Sequence, residues 1–432
     1  MLNFQKNLSK PFFVVVSLPA TAMGFALSVQ IAALSWILNS KFGFSLEEIG
    51  YVWLAGPAAG ILGQVIIGFV SDKVWFWGGR RRPFILIGGL IASIMLLALP
   101  NIGLISEALG FEEIIGVAIA IALSLDLAIN ISFNPTRSVI ADVTPQGAVR
   151  TKGYTWMQTI SGFFGVVAYL IGAFISNYTL IYSGAILVFL FSIIPTLFIT
   201  ETKDLTPEEE IIESDKKVQK TDLPQFLKIC LAHAFTWIGV QTMFIYTFSY
   251  IKENIMGFAT SQQISEAQND EIGFITGISF AILNTVGFLL PALVLEPITE
   301  KIGRVKTHML CIATMAIGYV LIILFGQSQA TLFILMAVVG IGWAAVVSLP
   351  FAIMSETVDQ KKMGLYMGLF NLSVVIPQLV ASGLGKFIDN ADDKSMIFII
   401  SAIALGISAV LWLLVKERKK EEKIIAPFPS SN

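Results

Sequence analysis

The apolar residues of this chain do not alternate with polar ones; they run on for twenty residues and more before a short polar interval breaks them. A helix needs about 20 mostly apolar residues to cross about 30 Å of hydrocarbon. Read with that window, the chain holds twelve runs, roughly 11–38, 46–71, 83–100, 113–141, 153–176, 179–199, 224–250, 272–299, 307–325, 330–356, 364–387 and 396–415. They are too long for barrel strands, and helices satisfy their own backbone in lipid. The pattern predicts an all-α membrane protein with twelve transmembrane helices. The longest polar interval, ETKDLTPEEEIIESDKKVQKTD (201–222), reads as a solvated linker. It divides the chain into two six-helix halves, 1–200 and 223–417, followed by a polar tail, 418–432. The interval from Tyr250 to Gly273 has room for a short helix.

Composition agrees. Hydrophobic types make up 55% and charged types 13%, where a soluble domain carries about 25% charged residues. Nothing resembles a basic, aromatic-interleaved nucleic-acid domain. The basic N-terminus and Ala20-Thr21-Ala22 imitate a signal peptide, but the apolar run continues to Leu38, too long for its core. Cys230 and Cys311 sit in apolar runs and read as small core residues. Charge changes the picture by its placement. With the N-terminus inside, the cytoplasmic intervals hold nearly all lysines and arginines, leaving Lys41, Lys252, Lys386 and Lys394 outside and Arg137 within a span. That bias puts both termini in the cytoplasm.

The two halves echo each other. IGFVSDKVWFWGGRRRP follows the second run and LEPITEKIGRVK the eighth. IADVTPQGAVRTKGY follows the fourth and MSETVDQKKMGLY the tenth, with Gly153 and Gly364 opening the next run. Six plus six helices in parallel repeats is the major facilitator layout, with substrate between the halves near the midplane. Positive-inside signalling explains the arginines of the first interval but not its acid or glycines. Gly68, Asp72, Gly79, Arg80, Arg81, Arg82 and Asp142 suit an interhelical charge network that holds a cytoplasmic gate shut. Glu300, Arg304 and Glu356 form its weaker second copy.

The fourth run carries the sharpest chemistry. An ionisable group mid-span costs about 2.5–3.5 kcal/mol even on the mild insertion scale, yet Asp126 stands there. At about 100° per residue, Asn130 lies about 40° and Arg137 about 20° round the helix from it, so the three share a face. Asn134 is about 80° off, and Pro135 can kink the helix. Arg137 is about 16 Å along the axis from Asp126, too far for a direct contact in one straight helix; it can pair with Asp142 instead. An acid without a cation can take a proton from one side and lose it on rehydration. Structural pairing and a sodium ligand are the alternatives. Gln30, Gln64, Asn284, Asn371 and Gln378 lie within runs and suit either a polar substrate or helix–helix bonds. Trp53, Trp237 and Trp343 can stack on a substrate ring, whereas Trp75 and Trp77 suit the membrane interface. His233 reads as a packed, hydrogen-bonded core residue.

Several of these stretches resemble one family. WLAGPAAGILGQVIIGFVSDKVWFWGGRRRPFILIGG (53–89) resembles the second and third helices of the sucrose–proton symporters, with their long spacing of seven residues from the Asp to the Gly of G-R-R-R-P-F-I. L-D-x-A-x-N followed by P-x-R-x-x-x-A-D (125–142) is similar to that family's fourth helix. GLYMGLFNLSVVIPQLVASGLGKFID (364–389) is similar to its eleventh. The seventh run has a tryptophan but not the D-T-D-W stretch of the plant members. The resemblance implies a major facilitator fold and gives the proton-coupling and substrate role to the acid of the fourth helix, Asp126 here.

The expectation is a secondary transporter that imports a disaccharide of sucrose or maltose type with a proton. No enzyme chemistry is indicated: no nucleotide-binding loop, metal motif or nucleophile–base pair is visible. Proton-coupling and substrate residues are Asp126, Asn130 and Arg137. Substrate candidates are Gln30, Trp53, Gln64, Trp237, Asn371 and Gln378. No cofactor is expected beyond the coupling proton. The partners are a sugar and the bilayer, with no nucleic acid, for a monomer in a plasma or bacterial inner membrane. A sodium-coupled glycoside symporter and a transporter-fold sugar sensor are the rivals.

Overall fold

The computed structural model describes residues 3–60, 74–145, 148–201, 221–359 and 363–417. We label its principal helices α1 (Lys10–Ser40), α2 (Leu46–Trp53), α3 (Arg82–Ala98), α4 (Ile114–Val143), α5 (Ala148–Phe174) and α6 (Asn177–Phe198). The second half holds α7 (Leu223–Tyr250), α8 (Glu266–Leu290), α9 (Arg304–Phe325), α10 (Gln329–Ser355), α11 (Met363–Gly383) and α12 (Met396–Trp412). Among the described residues, ten helical stretches are long and apolar enough to cross a membrane, and α12 is a shorter apolar helix. Of the twelve expected runs, 46–71 alone lies partly outside the described residues. Helix α2 opens it, and helix continues to residue 60.

Local signals set the helix ends. Ser45 accepts from the Glu48 N–H while Glu48 accepts from the Ser45 N–H, a reciprocal cap for α2. Ser265 and Gln268 make the same cap for α8. This cap starts α8 at Glu266, six residues ahead of the apolar run expected from residue 272. The stretch after α7 is a single π turn, Ile251–Ile255. Proline does not break α4: it runs unbroken through Pro135. Apolar side chains such as Leu190, Leu324, Ile334 and Leu413 stand exposed on the outer surface, as expected of helices that are hydrophobic all round.

The packing repeats with an offset of six helices. Helix α1 packs on α5 and α6 as α7 packs on α11 and α12. Helix α3 packs on α4 and α6 as α9 packs on α10 and α12. The halves meet where α5 crosses α8 and where α2 crosses α11 and the short helix Gly385–Asp389. At the second crossing the backbones nearly touch. A Cβ at Gly50 would overlap the carbonyl oxygen of Ser382, and one at Gly385 that of Leu46. Such close approach lets dispersion hold helices together in lipid, where the hydrophobic effect gives little.

Among the described residues, the hydrogen bonds and the ion pair that join the halves gather at one end of the bundle. Trp36 Nε1 donates to the Asn269 carbonyl at 3.0 Å. Asn39 Nδ2 donates to the Thr260 carbonyl at 3.2 Å. The buried Lys252 ammonium donates to Asn39 Oδ1 at 3.0 Å and to the Thr260 carbonyl at 2.7 Å. Lys386 faces Glu47 at 3.7 Å.

Candidate functional site

Asp126 sits about midway along α4 and is 7% exposed. Among the described residues no cation pairs with it. Its partner comes from α1: Gln30 Nε2 donates to Asp126 Oδ2 at 2.9 Å. The stretch after α2 closes over the carboxylate, and a Cβ at Gly56 would stand 3.2 Å from Oδ2. Three helices of the first half therefore converge on this acid. Asn130, one turn on, donates from Nδ2 to the Asp126 carbonyl at 2.8 Å and is partly exposed. Arg137 is not brought to Asp142. Its guanidinium lies 4.1 Å from the centre of the Phe133 ring and is exposed. Asp142 is taken by Arg81 at 3.1 Å and Arg80 at 3.6 Å. These arginines precede α3, so they reach Asp142 from outside its own helix.

The second half supplies aromatic and amide groups. Trp237 and Trp343 stand edge to face with ring centres 6.2 Å apart. Trp237 Nε1 donates to His233 Nε2 at 2.9 Å, and Trp343 Nε1 to Asn284 Oδ1 at 3.2 Å. Phe244 extends the stack to Phe280, which meets Tyr169 of α5 across the halves at 5.9 Å. Gln378 Nε2 donates to Gln241 Oε1 at 3.2 Å. Trp237, Asn284, Trp343, Asn371 and Gln378 all keep part of their surface open. Trp53 differs: it is buried and its Nε1 donates to Ser35 Oγ at 2.8 Å. His233 is buried against Phe370, ring to ring at 4.8 Å. Gln64 lies outside the described residues.

The charged clusters stand at the end of the bundle opposite the cross-half contacts. Glu201, just beyond α6, accepts from the backbone N–H groups of Arg80, Arg81 and Arg82 at 2.8, 2.9 and 2.8 Å. A carboxylate there satisfies N–H groups that a helix start leaves free, and faces the positive end of the dipole. Gly79 leaves the space: a Cβ on it would meet Glu201 Oε1. The second half repeats this. Glu417 accepts from the N–H groups of Arg304 at 2.9 Å and Val305 at 2.7 Å. Arg304 also pairs with Glu356, whereas Glu300 is exposed and the Glu417 carboxylate takes the capping position. Gly68 and Asp72 lie outside the described residues. Sequence reading missed Glu201 and Glu417 as members of this network. The available signal was an acid shortly after the last helix of each half. It also missed Lys252 and Asn39, which carry no local motif.

Two six-helix repeats in lipid-facing helices, with an acid that has no ion-pair partner among the described residues in the interior of one and aromatic and amide groups in the other, define a two-halved transporter rather than an enzyme. The Major Facilitator Superfamily model matches residues 16–293 and again 242–430, and the chain belongs to that superfamily. Among curated proteins it is similar to the sucrose transport protein SUT5 of Oryza sativa subsp. indica, 24% identical over 94% of this chain and 88% of the relative. It is likewise similar to the sucrose transport protein SUC4 of Arabidopsis thaliana, 24% identical over 88% of this chain and 84% of the relative. The general alpha-glucoside permease of Schizosaccharomyces pombe is 28% identical over 58% of this chain and 52% of the relative. Among solved structures, the inward open xylose transporter XylE from E. coli aligns with a TM-score of 0.68 at 15% identity, covering 95% of this chain and 97% of its own. The nucleoside transporter NupG aligns with a TM-score of 0.64 at 13% identity, covering 94% and 100%. These structural likenesses concern the fold.

Proposed function

We propose that this chain imports a disaccharide of sucrose or maltose type together with a proton, by alternating access of a site between its halves. The observation that carries the reading is Asp126: buried at midspan, held by one neutral amide, with no ion-pair partner among the described residues. Such a group is expensive in a membrane and marks an ion or substrate pathway. The partly open Trp237, Trp343, Asn284, Asn371 and Gln378 offer a sugar ring faces to stack on and amides to bond. The relatives named as sucrose transport proteins and as an alpha-glucoside permease support the substrate class.

In the cycle, proton and sugar bind from outside and each raises the affinity of the site for the other, as linkage requires. Reorientation with sugar bound but Asp126 ionised is disfavoured, whereas the empty site returns, so the inward proton gradient drives sugar uptake. The basic intervals place both termini inside a plasma or bacterial inner membrane, and the chain works as a monomer. In that orientation the Lys252–Asn39–Thr260 end, where hydrogen bonds join the halves, is the extracellular side. The Arg80–Arg81–Asp142–Glu201 and Arg304–Glu356–Glu417 clusters then form the cytoplasmic gate.

Proteoliposomes with a trapped pH dye test the reading. Maltose, sucrose or trehalose added outside without sodium should acidify the lumen. No acidification by any of them, with sugar binding confirmed, would exclude proton coupling and point to sodium-driven uptake or sensing.

A further inference from the structure

The Asp126 contact is incomplete on one side. Gln30 is 1% exposed, and while its Nε2 donates to Asp126, its Oε1 is buried with no hydrogen-bond partner among the described residues. A buried polar atom left unsatisfied costs about 1–3 kcal/mol, so an orphan beside this acid invites a chemical explanation. A primary amide is a donor and an acceptor side by side in one plane. A carboxylate offers only acceptors and can meet one half of it. A protonated carboxyl offers an acceptor and a donor, and meets both.

We propose that Gln30 is the positioning residue for the coupling proton, its amide closing a two-bond ring with Asp126 only when that carboxyl is protonated. This rests on the proton-coupled reading above. In the loaded state Nε2–H donates to one carboxyl oxygen, and the other, now O–H, donates to Oε1. On uptake, an O–H bond of hydronium breaks as one forms on Asp126, leaving water. Release reverses this into water on the other side, and nothing is oxidised or reduced. Among the described residues, Gln30 is the side chain that hydrogen-bonds the Asp126 carboxylate. Charged residues of the helices packed on α4 stand toward their ends: Lys10 of α1, Glu47 and Glu48 of α2, Arg82 of α3, Arg150 and Lys152 of α5. The stretch after α2 passes close by, since a Cβ at Gly56 would stand 3.2 Å from Asp126 Oδ2. The pair also joins α1 to α4 more firmly when loaded than when empty, so protonation stiffens the wall of the first half that faces the substrate.

Infrared difference spectroscopy tests this on the full chain in lipid, acidic minus neutral. The intact protein should show a protonated-carboxyl C=O band that Asp126→Asn removes. In Gln30→Leu the band should persist at higher wavenumber, because the O–H has lost its acceptor. Gln30→Met, unbranched and of similar volume, should shift it likewise and serves if the leucine variant does not fold. Thermal unfolding and a monodisperse gel-filtration peak in detergent verify folding in each. A band assigned to Asp126 that is unmoved in the folded Gln30 variants would overturn the role of Gln30. If Asp126→Asn removes no band, the proton reading of Asp126 fails instead.

Discussion

Glu201 shows how much one side chain can organise. Its carboxylate caps three consecutive N–H groups at the start of α3 while being 8% exposed. Hydrogen bonds to charged groups contribute about 1.5–3 kcal/mol. Glu201→Gln turns one oxygen into a donor facing donors and should lower stability by an amount in that range. Thermal unfolding in detergent checks it. An unchanged transition would mean that the arginine backbone is held by other groups. Asp126 is the opposite case, an acid kept at some expense for work rather than stability. Asp126→Asn removes a buried ionisable group while keeping the Gln30 Nε2 bond available, so the folded protein should be no less stable than the intact one.

At the scale of elements, the α2–α11 crossing depends on the absence of two side chains. Gly50→Ala or Gly385→Ala drives a Cβ into a facing backbone carbonyl. Overpacking of this kind costs about 1–3 kcal/mol. Gly406→Ala in α12 meets nothing within 4 Å and should be neutral or stabilising by up to about 1 kcal/mol from helix propensity. Melting temperatures of the three variants decide this. A loss at Gly406→Ala equal to the other two would show that the crossing does not set them. The helices themselves were legible in the sequence because lipid demands unbroken apolar runs. The start of α8 was not: residues 266–271 are mostly polar, and only the reciprocal Ser265–Gln268 cap explains them. The partners of the site were also hidden. Gln30 meets Asp126 from 96 positions away, and Arg80 and Arg81 reach Asp142 from about 60. Helical periodicity along α4 puts Asp126, Asn130 and Arg137 on one face, but it carries no information about a competitor arriving from another helix, which is why it allows Arg137 to pair with Asp142.

For the whole molecule, the structure sets an end where hydrogen bonds join the halves against a pair of charged clusters that each stay within one half. Lys252 and Asn39 bind the halves at that end through buried hydrogen bonds of 3.0 and 3.2 Å. Removing them should shift the balance toward the state open at that end, since a two-state population follows the difference in contacts between the states. In a background with Cys230 and Cys311 replaced by serine, a reporter Ile272→Cys lies buried at α8. Its labelling by a membrane-impermeant maleimide from outside should rise on adding Asn39→Leu or Lys252→Met. Unaltered labelling would mean that the apolar contacts at that end hold it shut without the lysine.

The central claim is that Asp126 ties sugar movement to a proton. The most direct measurement compares two modes of transport by the same folded Asp126→Asn protein in proteoliposomes. The account predicts that sugar-for-sugar exchange persists, because a neutral amide mimics the loaded acid, while accumulation driven by an inward proton gradient is lost. Gradient-driven accumulation that survives in Asp126→Asn would contradict it.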